Sequence, residues 1–173
     1  GQDAEAEALF KQVLVKAPGV GAAHYNLGLI AMKRKDLSAA ESAFRKDVEL
    51  RPQEPKAYVA LATLLGSVQR GDEALALLQE AAGSFATNGN FQFALGVAAL
   101  NAGRDAEAQP ALMKAAELDP ANAEARYYLG TLAMGQNEAA TAMTHFKRYL
   151  ELAPQGPNAA VAAKLLEALK ARK

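Results

Sequence analysis

Residues 123–156 read AEARYYLGTLAMGQNEAATAMTHFKRYLELAPQG, and residues 89–122 read GNFQFALGVAALNAGRDAEAQPALMKAAELDPAN. The two lines align without a gap. Leu129-Gly130 falls on Leu95-Gly96, Ala142 on Ala108, Phe146 on Leu112 and Pro154 on Pro120. Residues 21–54, GAAHYNLGLIAMKRKDLSAAESAFRKDVELRPQE, carry the same marks at Leu27-Gly28, Ala40, Phe44 and Pro52. Residues 55–88 fit less closely, with Leu61-Ala62, Ala74 and Leu78 in register and Ala86 in place of the closing proline. Pro18 extends the ruler toward the N-terminus. A 34-residue period over nearly the whole chain calls for a repeat array.

Each block holds two amphipathic segments of about 13–15 residues with apolar groups spaced i, i+3, i+4. The spacing predicts helices near 3–16, 21–34, 37–50, 55–69, 72–83, 89–102, 106–118, 123–135, 138–152 and 157–171. Asp36, Asp72 and Asp105 stand where a helix start needs an N-cap. The proline closing each block cannot continue the preceding helix. Gly or Ala at the shared small positions lets the two helices of a block approach closely. Such a pair cannot bury its apolar stripe alone, so stacking makes the core.

Composition agrees. Of 173 residues, 41 are Ala, the strongest helix former and a poor strand residue. Apolar residues make up 51% and aromatics 6%, which suits closely spaced helices over a thick core. The net charge is zero, so no bulk field draws the chain to nucleic acid or an anionic membrane. The balance is too apolar for disorder, and no apolar run approaches the ~20 residues that span a bilayer. Without Cys, neither a disulfide scaffold nor a Cys-ligated zinc site can form.

On these marks the chain resembles the tetratricopeptide repeat family, whose 34-residue pattern runs aromatic, Leu-Gly, Ala, Phe and a closing Pro. The departures are His24, Gln92 and Arg126, where the family often has Trp; Tyr58 keeps an aromatic there. The resemblance implies an all-α, right-handed α-solenoid of antiparallel helix pairs, about ten helices in all. The expected organisation of 1–173 is a single array. Residues 1–20 supply the second helix of a truncated repeat, 21–54, 55–88, 89–122 and 123–156 are full repeats, and 157–173 form a terminal capping helix. Lys164, Glu167, Lys170, Arg172 and Lys173 give that helix its polar face. In this register the sequence reads as a piece of a larger protein.

Three local irregularities carry expectations. Gly71-Asp72 comes two residues late as a turn signal, so the first helix of 55–88 should be longer than its counterparts. Gly83-Ser84-Phe85-Ala86 replaces the usual block ending, either bending the array or letting Phe85 refill the gap; the second reading is favoured. Pro110 falls early in its helix and should distort it without breaking it.

The patterns that carry chemistry are missing. His24 and His145 lie far apart without HExxH or a carboxylate-rich loop, and packing or surface roles explain them. Gly19-Val20-Gly21 imitates a dinucleotide fingerprint but lacks the third Gly and a preceding strand. No catalytic, cofactor or metal constellation emerges. The basic run Lys33-Arg34-Lys35 ends a helix, where it suits the dipole.

In the family resembled here, first helices line a concave groove that holds partners. Carried over residue by residue, that face holds Tyr25, Asn26, Leu29 and Met32, then Lys56, Val59 and Thr63. It continues with Asn90, Phe93, Val97 and Asn101, then Tyr127, Tyr128, Thr131 and Met134. An apolar strip with aromatic anchors and polar edges suits an extended peptide or an amphipathic helix. The carboxylate clamp of chaperone-binding relatives is disfavoured: Asn26 and Lys56 fit its pattern, but Ala60 stands where it needs Arg.

The expected function is a non-catalytic scaffold that binds a peptide or helical segment of a protein in this groove and supports assembly of a multiprotein complex. No cofactor, nucleic acid or membrane insertion is expected. The alanine-rich composition hints at a bacterial gene, with cytoplasm or periplasm both open, and similar arrays assist envelope and pilus assembly. The alternatives are a regulatory or targeting region of a larger enzyme and a self-associating scaffold. Gene length separates the first of these, and light scattering at several concentrations the second.

Overall fold

The computed structural model describes residues 2–171, and among them are ten α-helices and no strand. Two compact units emerge from the contacts, meeting between Phe85 and Ala86. The first holds α1 (Gln2–Lys16), α2 (Gly21–Lys33), α3 (Leu37–Leu50), α4 (Pro55–Ser67) and α5 (Gly71–Ala81). The second holds α6 (Gly89–Asn101), α7 (Asp105–Leu118), α8 (Ala123–Gly135), α9 (Ala139–Leu152) and α10 (Ala159–Lys170). This is an all-α helical-repeat solenoid. Arg172 and Lys173, expected on the polar face of the last helix, lie outside the described residues; Lys164, Glu167 and Lys170 are exposed as that face requires.

Each first helix packs on the second helix that follows it through a small residue. A Cβ on Gly28 would lie 2.5 Å from the Phe44 ring, and one on Gly130 would lie 2.7 Å from Phe146. Gly96 meets Leu112 in the same way, at 2.5 Å. All three partners are fully buried. Where Ala62 replaces glycine, α4 and α5 contact each other less extensively than the other three pairs. The Leu-Gly register is therefore a packing device: removing one methyl lets a large ring or leucine sit against backbone.

The turns inside the pairs repeat with a regularity that residue types hide. Lys35, Gln69, Gly103 and Asn137, each 34 residues from the next, all take left-handed backbone with φ between 61° and 70°. The next amide reaches back five residues in every case: Asp36 to Ala31, Arg70 to Leu65, Arg104 to Ala99 and Glu138 to Ala133, at 2.8–2.9 Å. A second bond spans three residues, as from Lys35 to Met32. This is the Schellman closure of a helix C-terminus.

It also corrects two expectations. The first helix of 55–88 is not longer: α4 has 13 residues, as α2, α6 and α8 have, and Gln69 turns the chain at the regular phase. Asp36 is an N-cap, accepting from the Ala39 amide at 3.1 Å, but Asp72 and Asp105 are not. They sit inside the first turns, Asp72 two residues past Arg70 and Asp105 one past Arg104, where their charge meets the positive helix end. Asn88 and Asn122 cap α6 and α8 at 2.9 Å.

α5 has 11 residues where α3, α7 and α9 have 14. After it Phe85 is buried, its ring 5.5 Å from Tyr58 in an edge-on contact. Phe85 thus refills the space that the missing block ending leaves. Pro110 lies inside α7, which continues past it.

Candidate functional site

Every residue carried onto the first-helix face keeps some exposure; none is fully buried. In the first unit, Leu29, Lys56 and Thr63 are exposed, while Tyr25, Asn26, Met32 and Val59 are partly covered. Tyr25 leans on the core, its ring 5.8 Å from Phe44. The Asn26 amide donates to the Ala22 carbonyl at 2.7 Å, and Thr63 donates to Val59 at 2.8 Å. These polar groups satisfy their own helices and leave the side of the face mainly to Leu29, Met32 and Val59.

The second unit gathers its aromatics. Phe93 of α6 lies 6.0 Å from Tyr128 of α8, and Tyr128 lies 5.7 Å from Tyr127. Tyr127 then reaches Phe146 at 6.0 Å and Tyr149 at 5.5 Å. The row passes from a half-exposed edge into the buried core. Tyr127 and Met134 pack against that core, so part of their surface serves stability. Phe93, Val97, Tyr128 and Thr131 are half-buried, and Asn90 and Asn101 are exposed at the rim. Burial and the nearby Glu124 carboxylate push the Tyr128 hydroxyl above its ordinary pKa, so it stays a neutral hydrogen-bonding group.

Sequence reasoning missed the polar link beneath this face. The Asn158 side-chain amide donates to Glu124 at 2.7 Å, its backbone amide donates to the Tyr149 hydroxyl at 3.0 Å, and that hydroxyl lies 3.4 Å from Glu124. Three helices are tied at one point, with Tyr149 fully buried. The readable signal was the register: Tyr149 stands 102 residues after Asp47, where the first unit also buries a polar side chain. Asp47 is held by Arg51 through two bonds, at 2.6 and 2.7 Å. Its Oδ1 would lie 2.6 Å from a Cβ on Gly21, so glycine is needed at the start of α2.

His24 faces the Pro18 carbonyl at 3.3 Å, and His145 is half-buried beside Arg126. No group of acidic residues, histidines or cysteines among the described residues has metal-binding geometry. No helix among them is long and apolar enough to cross a membrane.

The comparisons with known proteins define the class. Residues 1–118 match the family described as the cilia and flagella-associated protein 70 middle TPR-like domain, and residues 106–157 match the tetratricopeptide repeat. The chain belongs to the tetratricopeptide repeat family. No curated protein sequence matches it. Among solved structures it is similar to YrrB, described as a TPR protein with an unusual peptide-binding site. The identity is 21%, covering 94% of this chain and 84% of that one, with a TM-score of 0.74. It is also similar to MamA from Desulfovibrio magneticus RS-1, at 22% identity, 91% and 89% coverage and a TM-score of 0.76. A third is PilW, a type IV pilus biogenesis factor, at 18% identity, 98% and 84% coverage and a TM-score of 0.77. At these identities the likeness is one of fold.

Proposed function

We propose that this chain is a non-catalytic interaction scaffold whose first-helix faces hold a segment of a partner protein. The observation that carries the reading is the half-exposed row of Phe93, Tyr128 and Tyr127, flanked by Val97 and rimmed by Asn90 and Asn101. Rings fixed against a core offer large apolar area at little entropic cost, which is what an anchor for a peptide needs. Leu29, Met32 and Val59 offer a smaller apolar surface on the first unit. YrrB is described with a peptide-binding site and PilW with pilus biogenesis. Both lean toward peptide binding and complex assembly as the use of this fold here.

The test is affinity capture with wild type, a Phe93→Ala/Tyr128→Ala variant and a Lys164→Ala control. Tyr128 is the better probe than Tyr127, because Tyr127 also packs on Phe146 and Tyr149. The expected result is a partner recovered by wild type and control and lost by the double variant. Equal recovery by all three rejects the assignment.

A further inference from the structure

The second helices present clefts of their own, away from the first-helix face. Two adjoin in the second unit and share Arg126 and His145. One, about 430 Å³, has an apolar floor of Met113, Ala116, Leu129 and Ala133. The other, about 400 Å³, is rimmed by Lys147, Arg148 and Glu151.

Arg126 is unusual in three ways. It occupies the register where the family often has Trp. Its Nε is buried and has no acceptor among the described residues, while Nη2 donates to the Ala116 carbonyl at 3.2 Å. No carboxylate among those residues pairs with its guanidinium, or with the exposed Lys147 beside it. The acids around the two clefts are already engaged: Glu151 by Arg148 at 2.9 Å and Glu117 by Lys114 at 3.1 Å. Two cations, Arg126 where the clefts adjoin and Lys147 on the rim of one of them, are therefore uncompensated among the described residues.

The same register in the first unit gives an internal control. That cleft, about 770 Å³ between α1 and α3, is also floored by apolar groups, including Leu14, Leu27 and Ile30. Its charges cancel. Glu7 holds Arg34 and Lys11, Glu41 holds Arg45 at 2.8 Å, and Glu49 holds Lys46 at 2.7 Å. At the Arg126 register it has His24, already against a carbonyl. Uncompensated charge is thus not a by-product of the repeat geometry.

We propose that Arg126 and Lys147 form a second binding site, on the second-helix face, for an acidic segment of a partner protein. One carboxylate lies on Arg126 while a neighbouring apolar side chain enters the slot over Leu129 and Met113. The carboxylate meets the part of the guanidinium that lines the clefts, next to the buried Nε, and a hydrogen bond to a charged group is among the stronger ones a surface can make. The slot argues for a carboxylate carried beside an apolar side chain over a free anion. Burial and the charge of Arg126 both hold His145 below its ordinary pKa, so its ring is neutral and the positive charge belongs to the Arg and Lys side chains.

The test uses the whole chain and two blocked peptides, acetyl-Asp-Leu-Glu-Leu-Asp-amide and its Asn/Gln counterpart, with inorganic phosphate as a third probe. Binding is followed by calorimetry and by the Arg126 Nε–H resonance. The expected result is at least about tenfold tighter binding of the acidic peptide, with the Nε–H signal shifting. Arg126→Gln should reduce affinity to that of the neutral peptide, and the exposed Lys147→Ala should weaken it several-fold. Phe93→Ala/Tyr128→Ala should leave it unchanged, which separates this site from the first-helix face. Equal binding of both peptides, an unmoved Nε–H signal, or displacement by phosphate at equal concentration overturns the proposal.

Discussion

Gly130→Ala and Gly135→Ala are the same substitution in the same helix, and the packing predicts opposite signs. Replacing glycine by alanine inside a helix gains about 0.5–1 kcal/mol from propensity alone. At Gly135 nothing lies within 4 Å of the added carbon, so the gain survives, reduced by the position at the end of α8. At Gly130 the new Cβ lies 2.7, 2.9 and 3.0 Å from three atoms of the Phe146 ring, where ordinary contact begins near 3.4 Å. The ring cannot swing away, since it is fully buried and flanked by Tyr127. Overpacking of this kind costs about 1–3 kcal/mol, which exceeds the propensity gain. The net expectation is a loss of about 1 kcal/mol for Gly130→Ala. Urea unfolding measures both, read by tyrosine fluorescence. The chain has no Trp, and Tyr127, Tyr128 and Tyr149 all lie in the second unit. Phe146→Ala, which removes the ring, should remove most of the penalty of Gly130→Ala, measured in that background. Equal stabilisation by the two alanines, or a penalty unchanged once the ring is gone, would refute the close-approach argument.

Two further outcomes follow from buried titratable groups. Arg51→Ala strands the fully buried Asp47 carboxylate and should cost about 2–3 kcal/mol, the low end for such a pair because Arg51 itself is 30% exposed. The Asp47→Ala/Arg51→Ala double variant should lose less than Arg51→Ala alone in urea unfolding, and a larger loss would place the cost elsewhere. His145 is held below its usual 6.5, so the unfolded chain takes up a proton at a higher pH than the folded one. Stability is thus full above about 6.5 and falls as pH drops below it through the lower folded midpoint. His145→Gln should flatten that decline, and an NMR midpoint at or above 6.5 would contradict it.

The helices were legible because alanine, the apolar stripes and the prolines all obey one period. The turns were not. Lys35, Gln69, Gly103 and Asn137 share a backbone state but no side-chain chemistry, so nothing in their types marks the phase. The late Gly71-Asp72 pair looked like the turn itself, although Gln69 had already made it. In the candidate site, Phe93, Tyr127 and Tyr128 were readable from register. Their division of labour was not, because only three-dimensional contacts show Tyr127 leaning on Phe146 and Tyr149. The Glu124–Asn158 bond spans one full period and joins residues that no local pattern links. Arg126 was visible only as a missing aromatic.

The four Schellman turns have a consequence for how such a chain can change length. Each occupies three residues, and both of its backbone bonds depend on that count. Side chains there can vary, as Lys, Gln, Gly and Asn already do, but one added or deleted residue breaks the closure and misplaces the buried stripe of the following helix. The connections between pairs are looser, with seven residues from α5 to α6 and six from α9 to α10. Insertions and deletions among relatives should therefore collect between pairs and spare the turns within them, whatever residues those turns contain.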